Sequence, residues 1–292
     1  MNIVLNEKKY AEECLENGVM TLKPQETLSI LAKYYFSKGY KKKQIAEMLL
    51  KFLDCNYPRY LASKNTWIDT VERISKNAGK YPLYEIDGVW ITKSELAVID
   101  NLETMKQRKV MFAYLCLAKF YNLRSKKNNN WVNTELKDIF QTARVQCSVL
   151  QRAELRGDLQ LLGLLEFPKK NGNLSSRVTF VSEDDNDENV LHITDFRELG
   201  YAFLRYCGED YIECASCGIL INHGKTKSRK YCKDCVNKKS SPFRIIVCNN
   251  CHTSFETSIK NTKSKFCPDC YEKYRKAYQK IKYEERLNSK GD

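Results

Sequence analysis

Apolar positions recur at helical spacing from residue 24 to residue 80. Pro24 opens a run in which Leu28, Leu31 and Tyr35 share a face, and Gly39 is placed to end it. The next run, Tyr40 to Leu50, contains Gln44-Ile45-Ala46 followed by Leu49, a pattern like the first helix of a helix-turn-helix pair. A third segment carries Trp67, Ile68, Val71 and Ile74 on one side. Any three-helix bundle has such stripes, so an ordinary bundle is favoured over a dedicated DNA reader. Residues 1–80 form a helical, helix-turn-helix-like domain on this pattern.

The pattern then changes. Tyr84 to Ile91 is a short extended piece around the turn dipeptide Asp87-Gly88, and Thr92-Lys93-Ser94-Glu95 is a capping box that opens a helix. From Met105 to Asn122 one helical face holds Val110, Ala113, Tyr114, Leu117 and Tyr121. After a polar loop at Lys126 to Asn130, Asn133 can cap a short helix bearing Leu136, Ile139 and Phe140. A turn near Val145 leads into Ser148 to Leu162, where Val149, Leu155, Leu159 and Leu162 are apolar and Gly163 is a stop. Leu164 to Phe167 is strand-like, Pro168 to Asn173 with Asn171-Gly172 is a turn, and Arg177 to Val181 is the returning strand. Val190 to Ile193 is a further strand, and Asp195-Phe196-Arg197-Glu198 a second capping box opening a helix that runs to about Tyr206. Helix, short helix, helix, strand, turn, strand is the winged-helix order, so residues 81–207 are expected to form a winged-helix domain. Its third helix would face the major groove with Arg152 and Arg156, set among Glu154 and Asp158, and its wing would supply Lys169, Lys170 and Arg177. Winged helices also serve as protein-contact modules.

Composition narrows the function. The chain has 292 residues, room for two or three domains, and 42% apolar residues, which excludes wholesale disorder. Its longest apolar stretches are too short to span a bilayer, and Met1 to Tyr10 has no basic-then-apolar signal pattern, so the expectation is a protein that neither enters a membrane nor is secreted through such a signal. Three His residues argue against His-based acid–base chemistry. The formal charge is +13, and it is uneven: residues 211–292 hold 18 Lys+Arg against 8 Asp+Glu, a net +10. A basic tail on a near-neutral body points to a polyanion partner. Glu183 to Glu188 is acidic and lacks the glycine of a calcium loop, so it is expected to be a solvated loop.

Eight of the 13 Cys residues lie in four CxxC pairs. Cys214 and Cys217 are followed by Cys232 and Cys235; Cys248 and Cys251 are followed by Cys267 and Cys270. Each block supplies the four thiolates of a tetrahedral zinc site. The blocks repeat: Thr226-Lys227-Ser228 before Lys230-Tyr231-Cys232-Lys233-Asp234-Cys235 matches Thr262-Lys263-Ser264 before Lys265-Phe266-Cys267-Pro268-Asp269-Cys270. That repetition favours one Zn2+ per block, two in all, over an interleaved pairing of the first pair with the third. A closed four-thiolate site leaves no position for a reacting water, so the zinc is structural. It orders a segment bearing Lys227, Arg229, Lys230, Lys263 and Lys265, then a basic C-terminal helix with Arg275 and Lys276. Tyr274, Tyr278 and Ile281 are expected to dock that helix on its zinc module, leaving the lysines for phosphates. Gly224-Lys225-Thr226 is rejected as a phosphate loop, because the earlier glycine is misplaced and no strand–helix context surrounds it. His223 and His252 are expected to be surface or reserve polar residues. Cys14, Cys55, Cys116, Cys147 and Cys207 are expected to be buried and inert.

The stretch from Ile91 to Tyr283 resembles winged-helix plus tandem zinc-ribbon proteins of phages and mobile elements of Gram-positive bacteria. The resemblance rests on Leu115-Cys116-Leu117-Ala118-Lys119-Phe120-Tyr121-Asn122, on Asn129-Asn130-Trp131-Val132-Asn133, and on Cys214-x-x-Cys217-Gly218 with Arg229-Lys230-Tyr231-Cys232. It implies a replication or transcription accessory protein in the cytoplasm of a bacterial or phage-infected cell, and brings no catalytic residues with it. The resulting expectation is a mainly α (α+β) chain: the helical domain, the winged helix, and two four-cysteine modules of zinc-ribbon or treble-clef type over 208–240 and 241–292. Its function would be non-enzymatic nucleic-acid binding, to DNA in preference to RNA, with no small-molecule substrate. The alternative is a zinc-scaffolded adaptor or inhibitor that grips a host nucleic-acid-handling or defence complex.

Overall fold

The computed structural model describes residues 3–18, 20, 22–57, 60, 63–169, 175–182, 184, 186–224, 227–239, 243–258 and 264–288. Lys170, the Asn171-Gly172 turn, Glu183, Asp185 and Lys263 lie outside the described residues. The chain is a mixed α+β protein with two compact units, residues 1–212 with 219–224, and residues 213–218 with 225–292. Among the described residues, no helix is long and apolar enough to cross a membrane.

The first unit holds two apolar cores. The N-terminal one is built by α1 (Glu7–Asn17), α2 (Pro24–Ser37), α3 (Lys42–Asn56) and α4 (Lys64–Lys76) around Leu28, Leu31, Ile45, Leu49, Leu53 and Val71. Helix α1 escapes the apolar-stripe analysis because it buries only Tyr10, Ala11, Cys14 and the stem of Glu7. Its ends are nonetheless well marked. The Asn6 side chain accepts from the Lys9 N–H at 2.9 Å, and Gly18 closes the helix at φ 65°. Glu7 accepts from Lys33 at 2.8 and 2.9 Å and from the Tyr84 N–H at 3.1 Å.

The second core surrounds α6 (Met105–Arg124). The stripe read from sequence is an understatement: every residue from Val110 to Ala118 is buried, because α6 is the central element rather than an amphipathic cover. Strand β1 (Val89–Thr92) precedes α5 (Lys93–Asp100), and the Thr92/Glu95 capping box forms as the sequence indicates. After α6 come β2 (Trp131–Val132), α7 (Leu136–Thr142), α8 (Val149–Leu161), β3 (Leu165–Glu166) and β4 (Ser176–Val178). The three strands make one antiparallel sheet in the order β2-β4-β3, with Trp131 opposite Arg177 and Leu165 opposite Val178. Strand β2 is too short to leave a period-two signal. Asn133 does not cap α7; its side chain accepts from the Ser175 hydroxyl, and the N-cap position falls to Glu135.

Strand β5 (Asn189–Ile193) pairs with β1, and α9 (Leu199–Tyr206) packs on α6. The second capping box is not formed either. Asp195 binds the Arg197 N–H and guanidinium, while Glu198, at the N-cap of α9 without a side-chain cap, is taken up by Arg144. Gly200 allows α9 to approach so closely that a Cβ there would lie 1.9 Å from the Ala143 carbonyl oxygen. The acidic run is partly anchored, since Asp187 accepts from the Ser94 hydroxyl and the Lys93 N–H donates to the Glu188 carbonyl. Strands β6 (Tyr211–Glu213) and β7 (Leu220–Asn222) form a hairpin, with Tyr211 stacked on Tyr201 at 4.7 Å.

The second unit contains α10 (Lys233–Lys239), the hairpin β8 (Phe243–Val247) with β9 (Ser254–Ser258), and the 21-residue α11 (Pro268–Asn288). Its buried residues centre on cysteine rather than on aliphatic side chains: Cys248, Cys267 and Cys270 form a cluster edged by Phe255 and Phe266. So small a core needs another source of order. The five isolated cysteines divide: Cys14 and Cys116 are buried and Cys147 half-buried, but Cys55 and Cys207 are exposed, contrary to expectation.

Candidate metal centres

Each cysteine block is assembled in the same way. The first CxxC pair sits in the tip of a hairpin, β6–β7 for Cys214 and Cys217 and β8–β9 for Cys248 and Cys251. The second pair opens a helix, with Cys232 just before α10 and Cys267 just before α11, and Cys235 and Cys270 in their first turns. Backbone bonds repeat from block to block. Gly218 N donates to Cys214 O at 2.9 Å and His252 N to Cys248 O at 3.0 Å. Ala215 N donates to Lys230 O at 3.0 Å and Asn249 N to Lys265 O at 2.9 Å, tying the hairpin tip to the approach of the helix. The turns close in the left-handed region, at φ 70° for Gly218 and 57° for His252. His252 is exposed, as expected of a surface residue, and serves as a turn residue; setting it beside Gly218 in the repeat is the signal that reveals this.

The sulfurs gather in consecutive fours, which overturns the interleaved pairing. Within Cys214, Cys217, Cys232 and Cys235, and within Cys248, Cys251, Cys267 and Cys270, all four Sγ atoms lie within 4.8 Å of one another. Cys217 and Cys232 are 3.7 Å apart and Cys251 and Cys267 3.6 Å. Four thiolates bound at about 2.3 Å in a tetrahedron have edges of about 3.8 Å. Either cluster could hold a metal ion with little adjustment.

The electrostatics fit a cation. Burial raises the Cys214 thiol, but the backbone N–H groups of Cys232, Ser216 and Cys217 outweigh it and bring it down to about 6. Cys248 falls to about 6 in the same way, through the N–H groups of Cys251, Cys267 and Asn250. Thr253 lowers Cys251 through a 2.8 Å hydroxyl contact. Cys270 goes the other way. The Asn250 amide lowers it, but the neighbouring thiols Cys267, Cys251 and Cys248, together with burial, carry it up to about 11. Four sulfurs this close cannot all ionise without a positive charge between them, which a divalent ion would supply. Asn250 and Thr253 are supporting residues with no signature in the CxxC pattern.

The expected nucleic-acid contacts fall in both units. In the second, Lys227, Arg229, Lys230, Lys265, Arg275 and Lys276 are exposed; Arg229 Nε donates to Tyr231 O at 3.3 Å and Lys276 pairs with Glu272 at 3.0 Å. In the first, Lys169 is exposed. Arg156 is drawn onto the sheet, donating to the Ser176 hydroxyl at 3.1 Å and Ser175 O at 3.0 Å with its guanidinium 3.9 Å from the Phe167 ring centroid. Arg177 is spanned between Glu166 at 2.9 Å and Asn129 at 3.2 Å. Arg152 is half-buried, and its Nε has no hydrogen-bond partner. The two ends of α8 expose apolar side chains: Val149, Leu150 and Leu161, with Leu162 just beyond, are 78, 69, 88 and 56% exposed, while Gln151, Glu154, Asp158 and Gln160 are exposed between them.

Comparison of the chain with protein-family models, with curated proteins and with solved structures finds no match.

Proposed function

We propose that this is a non-enzymatic nucleic-acid-binding protein whose basic second unit is folded by two structural Zn2+ ions, each held by one four-cysteine block in a treble-clef-like module. One observation carries the proposal: two repeated clusters of four sulfurs lie in a segment of net charge +10 that has almost no apolar core. The proposed ligands are Cys214, Cys217, Cys232 and Cys235, then Cys248, Cys251, Cys267 and Cys270. Residues 81–207 are proposed as a winged-helix domain, supported by the helix–strand–helix–helix–strand–strand order over residues 105–178 and the antiparallel β2-β4-β3 sheet. A replication or transcription accessory role of phage type rests on the sequence resemblance.

The test is fluorescence anisotropy with labelled DNA across a salt series. The expected result is affinity whose logarithm falls by about 0.9 per phosphate contacted for each log unit of salt, and that is lost with the metal to a chelator. No binding at low salt would overturn the proposal.

A second reading, a protein adaptor, is favoured by α8. With Arg156 turned onto the sheet and leucines facing solvent, this helix suits an apolar protein contact better than a DNA groove. Leu150→Ser with Leu161→Ser would leave DNA affinity unchanged and abolish a nuclease-resistant association with a host protein; a doubly substituted protein that keeps that association would exclude α8 as the contact.

A further inference from the structure

Helix α11 leaves the second cysteine cluster with an apolar stripe that no described residue covers. Tyr271, Tyr274, Tyr278 and Ile281 are 59, 61, 52 and 53% exposed. Their spacing of three, four and three residues puts them on one face. Of the residues expected to dock this helix, Tyr274, Tyr278 and Ile281, Tyr274 reaches the cysteine module through Phe266, and all three stay more than half exposed. Tyr274 alone of the four has a ring neighbour among the described residues, Phe266 at 5.9 Å with a 16° interplanar angle, and it stays mostly open to solvent. Cations line the same helix: Lys273, Arg275, Lys276, Lys280 and Lys282 are exposed. At about 3.6 residues per turn Arg275 and Lys282 lie beside the stripe and the other three on the far side, and Lys282 Nζ lies 6.0 Å from the Tyr278 ring centroid.

The chemistry of the stripe selects its occupant. Three flat rings with Arg275 and Lys282 at their edge suit a polyanion that carries flat faces of its own. Bases stack on aromatic side chains whatever their identity, while lysines and arginines follow the phosphates. Successive rings rise about 4.5 and 6 Å along the axis at 1.5 Å per residue, between one and two base-stacking steps of about 3.4 Å. Paired bases in a duplex are already stacked on each other and cannot reach such a platform.

We propose that Tyr271, Tyr274 and Tyr278 form a stacking platform for unpaired bases, so that α11 takes single-stranded nucleic acid in preference to duplex; this rests on the nucleic-acid-binding proposal above. The test uses the full metal-loaded chain with an oligothymidylate and a mixed-sequence duplex of equal length, both labelled, at one fixed salt concentration. Removing all three rings (Tyr271→Ala, Tyr274→Ala, Tyr278→Ala) is expected to weaken single-strand binding at least tenfold, since each stacked ring contributes about fivefold or more. Duplex affinity and the salt slope should stay within about twofold, because the cations remain. The corresponding triple Phe protein should bind like the wild type, which separates ring stacking from hydroxyl contacts. The side chains are exposed, and unchanged metal content would verify that the module still folds. Single-strand binding that survives the alanines, or an equal loss on both ligands, would overturn the platform while leaving nucleic-acid binding intact. Retained oligonucleotide binding with loss of a nuclease-resistant protein partner would assign the stripe to a protein instead. A wild type that binds neither ligand would overturn both proposals together.

Discussion

Replacing Gly218 tests whether the two cysteine blocks are one device built twice. Gly218 sits at φ 70° in the first hairpin tip, and a Cβ built there meets nothing within 4 Å. Any cost of substitution is therefore backbone strain alone. Holding an L-residue in the left-handed region costs about 1–2 kcal/mol, less for residues such as Asn that visit it readily. Because metal binding and folding of such a module are one equilibrium, that cost appears directly as lost metal affinity. At about 1.4 kcal/mol per tenfold, Gly218→Ala should weaken the first cluster about fivefold. Gly218→Asn should cost less, and a β-branched Val more. The second block supplies the control. His252 already occupies the equivalent turn at φ 57°, so His252→Gly relieves strain but adds about 0.5–1 kcal/mol of chain entropy to be lost on folding. The expected change there is within about twofold. Cobalt(II) titrations read by absorbance, with the opposite cluster disabled by Cys→Ser changes, would measure both. Equal affinities for Gly, Asn, Ala and Val at position 218 would refute the strain argument, and so would a large gain from His252→Gly.

Three further outcomes are expected. Lys119 donates to the fully buried Glu95 carboxylate at 2.6 Å, so Lys119→Ala, which leaves that charge unpaired, should destabilise the first unit by about 3 kcal/mol in urea denaturation; a loss below about 1 kcal/mol would mean that the carboxylate finds another partner. Gly200→Ala forces a methyl into the Ala143 carbonyl and should cost at least about 2 kcal/mol in the same assay, where a neutral result would show that α9 shifts freely. Cys214 and Cys248, both lowered to about 6, favour the folded form above the ordinary thiol pKa of about 8.5, a contribution that fades as pH falls through about 6. Cobalt affinity should fall continuously as pH drops from about 8.5 towards about 5, because binding displaces the thiol protons, whereas a flat profile would contradict thiolate ligation.

What the sequence disclosed depended on the reach of each interaction. The CxxC pairs, the Thr92/Glu95 box and the strand at Val190 to Ile193 are short-range patterns, and they appear where they were read. The capping roles of Asn133 and Asp195 were equally local, yet both failed because a partner distant in sequence or a competing neighbour took the side chain: Ser175 holds Asn133, and Arg197 holds Asp195. Arg156 shows the same effect at the candidate interface, since its capture by Ser175, Ser176 and Phe167 requires the sheet to be assembled first. The central position of α6 was hidden for a related reason. A stripe analysis finds the most apolar face, and a helix covered on all sides still has one. His252 became intelligible only by comparison with Gly218, because a left-handed turn leaves no hydropathy signal.

The hairpin β6–β7 has a practical consequence for dissecting the protein. Its strands lie in the first unit except for Glu213, which belongs with the tip to the second, so the polypeptide passes from one to the other at 212, at 218 and again at 224. No single cut separates the two. A chain stopped at residue 212 forfeits β7, the hydrogen-bonded neighbour of β6, and one stopped at 224 retains both strands but carries Cys214 and Cys217 as an orphaned thiol pair, open to oxidation. A piece begun at 225 inherits the converse defect, with Cys232 and Cys235 stranded beside an intact second cluster.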